Sequence, residues 1–246
     1  MKIIIKLFLG LVIFVSAIAY FAPASIIEKF LPSNISAAGL SGTLLNGNVQ
    51  NVIIDKIGLQ NTKWTAKPLS LLIGKVQADV SIDSSNIKGD FKTTYSGSDV
   101  HTKDIDLNGE LSLLGPYFEH YVLTINGQFD AKFDNLHIKN GIPHYADGIL
   151  KTSNTSILGF VPLNLGDISS EFSPQDDGFQ INLHNQNGEL DLDGIIYVTN
   201  GGAYNADLTL SKNARTPDNV LQTVQMIGKK ITEDSVKLVH QGQLGI

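Results

Sequence analysis

The sequence predicts a mainly β protein: a strongly curved antiparallel sheet, half-barrel or β-taco-like, preceded by one N-terminal transmembrane helix and carrying a short C-terminal helix. Three observations lead there. Beyond Leu31, apolar and polar residues alternate through many short segments. Glycines recur on the apolar parity of several of those segments. One long apolar run precedes them all.

That run, "MKIIIKLFLGLVIFVSAIAYFAPA", carries no charge from Ile3 to Phe21 except Lys6. As a helix, its 19 residues at ~1.5 Å each reach roughly 28 Å, close to the ~30 Å hydrocarbon core of a bilayer. Lys2 and Lys6 precede the main apolar stretch, and the positive-inside rule puts them in the cytoplasm. The expected organisation is a cytoplasmic start at 1–6, a transmembrane helix at 7–22, and a single exported β-rich domain at 23–246. The same residues also fit a cleaved signal peptide, with Leu7–Val15 as its apolar region and Ala17-Ile18-Ala19 as a small-x-small cleavage pattern. Both readings export the remainder.

Period-two alternation then sets in. "KVQADVSI" places Val76, Ala78, Val80 and Ile82 on one face, and "IKGDFKTTY" does so with Ile87, Phe91 and Tyr95. "VLTINGQFDAKF" carries Leu123, Ile125, Phe129, Ala131 and Phe133 in phase, and "LDLDGIIYV" carries Leu190, Leu192, Ile196 and Val198. Such segments form antiparallel strands with one buried and one wet face. "KPLSLLIG" reads as one or two helical turns ended by Gly74. In "TPDNVLQTVQMIG", Thr216 suits the cap, Pro217 the first helical position and Gly228 a left-handed end. Val220, Leu221, Val224 and Ile227 form one face of this helix, which precedes a last strand, "SVKLVHQGQL".

Asn-Gly occurs in "LNGEL", "INGQF" and "QNGEL". Asn-Gly is a hairpin signal, but Gly109 keeps phase with Ile105, Leu107 and Leu111, and Gly127 keeps phase with Ile125 and Phe129. Both are therefore expected inside strands, where glycine permits a bend or a close backbone approach. Gly194 shares the parity of Leu192 and Ile196, and Gly188 fits a strand or a turn. These four are the candidate sheet-bend glycines. Asn140-Gly141 and Asn200-Gly201 fall between alternating runs and are the hairpin candidates.

The chain has 246 residues, no cysteine, one arginine (Arg215) and a formal net charge of -6. Without cysteine there is no disulfide, thiolate metal site or thiol nucleophile. A nucleic-acid partner is not expected, because neither a basic face nor arginine forks are present.

"SGTLLNGNVQNVIIDKIGLQNTKWTAKPLSLLIGKVQADVSI" resembles the N protein of the bacterial type II secretion system. That family opens its periplasmic domain with Gly-Thr-(Leu/Val)-Trp-x-Gly, follows with a strand ending in Trp, and then has a basic-Pro-…-Leu-Leu-x-Gly turn. Gly42, Thr43, Leu44 and Gly47 match the first element, with Leu45 in place of the usual tryptophan. Trp64 matches the second, and Lys67, Pro68, Leu71, Leu72 and Gly74 match the third. "INGQFDAKFDNLHIKNGIPHYADGIL" and "NGELDLDGIIYVTNGGAYNADLTL" resemble its later stretches. Gly42, Thr43, Gly47, Trp64, Pro68 and Gly74 are thus family-motif residues, for structure or partner contact.

The resemblance implies a single-pass protein of the Gram-negative inner membrane, with a cytoplasmic N-terminus and most of the chain periplasmic. It also implies a non-enzymatic accessory or scaffold role in exporting folded proteins. The implied partners are other inner-membrane type II secretion components, and membrane lipids through the N-terminal helix. The curved sheet is also similar to groove-forming modules of AsmA-type envelope proteins, which implies lipid binding or transfer as the alternative.

No cofactor is expected. His101, His120, His137, His144, His184 and His240 lack the spacings that gather a metal. His137 and His144 can approach across the Asn140-Gly141 hairpin, with Asp147 near, giving at most a weak site. Asp176-Asp177-Gly178 reads as a turn. Glu110, Asp130, Glu189, Asp191 and Asp193 sit on polar strand parity, where solvated charges belong.

Overall fold

The computed structural model describes residues 20–31, 33–71, 73–118, 123–159 and 162–244. The segment expected to span a membrane, 7–22, therefore lies outside the described residues up to residue 19. No helix among the described residues is long and apolar enough to cross a membrane. The chain forms two compact units, Met1–Val100 and His101–Ile246, and both are antiparallel β.

In the first unit a 3-10 turn at Ala24–Phe30 leads into β1 (Ile35–Gly42), β2 (Asn46–Ile54) and β3 (Ile57–Ala66). A single helical turn α1 (Pro68–Leu71) follows, then β4 (Val76–Asp83) and β5 (Ile87–Ser96). Each of these strands pairs antiparallel with the next. The alternation explains the burial: Ala78 and Ile82 of β4 are buried, on the apolar parity. The links are short. Ile54 faces Ile57 across Asp55-Lys56, and Asp55 is held by Asn34, whose backbone carbonyl and side-chain amide both bond to it.

The second unit contains most of β6 (Asp99–Glu110), then a 3-10 turn at Leu111–Leu114 and the short helix α2 (Gly115–Phe118). Four long or medium strands follow: β7 (Thr124–Lys139), β8 (Ile142–Leu158), β9 (Leu163–Gln175) and β10 (Gly178–Gln186). They lead to β11 (Leu190–Thr199), β12 (Ala203–Lys212), helix α3 (Asp218–Ile227), β13 (Lys229–Lys230) and β14 (Ser235–Gln243). Within this unit the sheet order follows chain order from β6 to β12, after which β14 lies next to β12 and the two-residue β13 lies outermost.

Asn140 and Gly141 form the two-residue hairpin between Lys139 and Ile142, with φ of 51° and 78°, as a type I′ turn requires. The Asn200-Gly201 hairpin is one residue longer. Its left-handed position is Gly202, whose N–H donates to Thr199 O at 2.8 Å. Asp176-Asp177 is the two-residue turn between Gln175 and Gly178.

The core of this unit lies in two clusters. Leu190, Leu192, Leu210 and Val236 from the sheet pack with Val220 and Val224 of α3, so the amphipathic helix covers the apolar face at that end. Leu190 and Val236 are 0% exposed. Ala146, Phe179 and Val198 form the second cluster, ringed by Phe133, Phe172 and Ile196.

Four local expectations need correction. β6 stops at Glu110, because Leu111 turns inward as the buried first residue of a 3-10 turn instead of continuing the strand. Pro217 is the cap residue of α3 and not its first helical residue. The Thr216 hydroxyl donates to Glu189 O and accepts from Asn213 N at 2.8 Å, so it serves the approach to the helix and not its end. Gly228 is extended, with φ -122°, and not left-handed. A Cβ there would meet Val236 Cγ1 at 2.2 Å, so glycine is required by the helix-to-strand contact.

Candidate functional site

The family-motif residues converge at one end of the first unit. Gly42 and Gly47 are partners in the β1–β2 register, and Gly47 is also the partner of Trp64 on β3. The three residues between β1 and β2 form a tight loop: Thr43 N donates to Asn46 O at 2.8 Å, and Asn46 N donates to Thr43 Oγ1 at 3.2 Å. The half-buried Trp64 lays its ring over Gly47, where a Cβ would come within 2.2 Å of Cζ2. Its Nε1 donates to Leu44 O at 3.0 Å. The indole thus satisfies a loop carbonyl with its polar edge and covers backbone with its apolar face. Leu45, at the position of the family's tryptophan, is buried.

The Pro68 and Gly74 turn is fastened to the same loop. Ala66 N donates to Leu45 O at 2.7 Å, immediately before the turn starts. Proline suits the first helical position and Gly74, with φ 72° and its N–H on Leu71 O, ends the turn. The residue that holds it is Ser70, which sequence reasoning missed. Its buried hydroxyl donates to Lys67 O at 2.6 Å and accepts from Gln77 N at 3.1 Å. The available signal was a lone polar residue within "PLSLLI".

The sheet-bend glycines belong to the second unit. Gly109 is the penultimate residue of β6. Gly127 is inside β7 at a register shift between Asn126 and Gln128, with φ +133°. Its absent side chain leaves room for Ser153 O, Thr155 Cα and the Leu111 side chain. Gly188 lies in the link between β10 and β11, against Leu165 O and Leu190 O. Gly194 is within β11, where a Cβ would meet Leu208 Cδ2 at 2.3 Å.

Near Gly188 a polar ladder ties strands together. Asn185 Nδ2 donates to Leu165 O at 2.7 Å and Leu190 O at 2.8 Å, while its Oδ1 accepts from Leu192 N at 2.6 Å. Asp167 accepts from Asn154 N and Asn187 Nδ2, each at 3.0 Å. These bonds hold its carboxyl below the usual carboxylate range, Asn187 contributing most. Glu189 accepts from Asn164 N at 2.9 Å and is a half-buried structural anchor instead of a solvated charge. Glu110, Asp130, Asp191 and Asp193 are exposed, on the wet face.

His137 and His144 do approach across their hairpin, with ring centroids 5.8 Å apart. The closer partner is His101, stacked on His137 at 3.8 Å. Among the described residues no group of three or more histidine, cysteine or acidic side chains has the geometry to hold a metal ion.

The model of the family described as Type II secretion system (T2SS), protein N, matches residues 33–239, well over half of the chain. The chain belongs to that family. The match begins just before β1 and ends inside β14, so it runs through both β units. Comparison with curated proteins and with solved structures returned no match. In this member of the protein N family, the loop, the tryptophan and the proline turn are one hydrogen-bonded assembly.

Proposed function

We propose that this protein N is an accessory or scaffold component of the type II secretion apparatus. It is anchored in the inner membrane by residues 7–22, with a cytoplasmic N-terminus and a periplasmic body, and it acts by non-covalent docking instead of catalysis. Membership of the protein N family is the observation that carries this reading. The geometry adds a docking device. Among the described residues β1 has one strand neighbour, β2, and no charged residue occurs between Leu31 and Ile54. Proteins usually guard sheet edges with charges, proline or very short strands, as the terminal Lys229-Lys230 strand does at the other unit's edge. An uncharged edge suits strand addition by a partner.

The test is affinity purification of the full chain from membranes, followed by identification of co-purifying inner-membrane secretion components. Replacing Ile3–Phe21 by a cleavable signal should abolish that recovery. Equal recovery from the released form would overturn the anchored reading. Retention of phospholipid by the released body would instead favour the lipid-groove alternative.

A further inference from the structure

The end of the first unit that carries the Gly42–Gly47 loop also displays large apolar side chains to solvent. Leu69 is 73% exposed, Ile73 71% and Phe21 77%; among the described large apolar residues only Met226 is more open. Three of the four most exposed apolar side chains therefore sit at one end of one unit. Leu69 and Ile73 are not loosely held. Ser70 pins the turn between them, and Ile73 N donates to Ser70 O at 3.2 Å. A preordered turn loses little freedom when it meets a second surface.

Two further observations say what that surface is. The first is where the apolar N-terminal run ends. Leu44 N donates to Ala22 O at 3.0 Å and Pro23 pairs with Thr43, so Ala22 and Pro23 are fastened to the loop that holds the proline turn. Whatever receives the N-terminal run lies close to Leu69 and Ile73. The second is charge. "KPLSLLIGK" has a lysine at each end and no acidic residue. Lys67 pairs with Asp79 of β4 at 3.6 Å. Apolar side chains between lysines whose stems can lie along acyl chains match the interfacial layer of an anionic bilayer.

We propose that the Leu69–Ile73 turn inserts into the interfacial layer of an anionic lipid bilayer, as a second foothold beside the membrane helix. The inference rests on the anchored reading of residues 7–22. It fixes which end of the first unit faces the membrane and leaves the β1 edge presented sideways.

The absence of cysteine allows single-site labelling with an environment-sensitive fluorophore. The variants are Leu69→Cys, Ile73→Cys, Val12→Cys and Lys56→Cys, the last at the opposite end of the β2–β3 pair. The full chain is reconstituted in phosphatidylcholine vesicles containing about one-third phosphatidylglycerol, with and without spin-labelled lipid. Labels at 69 and 73 should emit at shorter wavelength and be quenched by the spin-labelled lipid, whereas the label at 56 shows neither effect. Quenching at 69 and 73 should fall on the order of twofold in phosphatidylcholine alone. Quenching at 12 with none at 69 and 73 overturns the foothold and spares the anchor. No quenching at 12 overturns the anchored reading itself. A blue shift at 69 and 73 without lipid quenching means that protein covers the turn, and it also overturns the proposal.

Discussion

Gly47 and Trp64 oppose one another in the β2–β3 register, and the indole ring occupies the space that a side chain on residue 47 would need. Gly47→Ala must displace the ring and strain the bond from Nε1 to Leu44 O. The expected loss is ~1–3 kcal/mol in chemical denaturation, with a red shift in emission, since Trp64 is the single tryptophan. In a Trp64→Leu background the same alanine should be far less disruptive, and a double-mutant cycle measures the coupling. An equal loss in both backgrounds would show that the indole is not what excludes the side chain.

Gly127 and Gly58 are both strand glycines, and they should respond unequally to alanine. Gly127 combines φ +133° with backbone of Ser153 and Thr155 within about 3 Å of a built Cβ, whereas nothing lies within 4 Å at Gly58. Gly127→Ala is expected to lower stability by ~2–4 kcal/mol. Gly58→Ala should stay within ~0.5 kcal/mol of the parent. Thermal melts of the two variants side by side decide the matter.

Asn185 ties the end of β10 to the starts of β9 and β11 through three hydrogen bonds. Asn185→Ala leaves Leu165 O, Leu190 O and Leu192 N without that partner, and a loss of ~2–4 kcal/mol follows. Native-state hydrogen exchange should show the Leu192 amide opening first. A global loss with no local change at Leu192 would assign the stability elsewhere.

Two carboxyls give the fold an acid limb. Asp167 is held below the usual range by Asn187 and then Asn154, and Asp83 by Lys88, whose Nζ lies 2.9 Å away. A carboxyl depressed in the folded state contributes stability fully above its unfolded value of ~3.9 and loses it as pH falls through the folded value. Asp167→Asn and Asp83→Asn should each flatten the fall in melting temperature below about pH 4. Salt at about 1 M should erase the Asp83 effect more than that of Asp167, because an exposed ion pair is screened more than neutral donors are.

The amino-acid sequence by itself determined the strands, most of the turns and the membership of the family. Alternation in "KVQADVSI" or "LDLDGIIYV" is settled by neighbours two residues apart, and Asn140-Gly141 is legible because a type I′ turn needs two residues that tolerate positive φ. The parity of Gly109 and Gly127 likewise placed them inside strands.

Tertiary structure alone decided which distant groups touch. It put Trp64 over Gly47, His101 against His137, Ser70 under the proline turn and Val236 against Gly228, where it overruled a left-handed helix end. It also turned Leu111 out of its strand and into contact range of Gly127. Dihedral preference and side-chain parity are properties of adjacent residues, and a sequence displays them directly. Close approach depends on the register of strands far apart in the chain, which is set only when the sheet has formed.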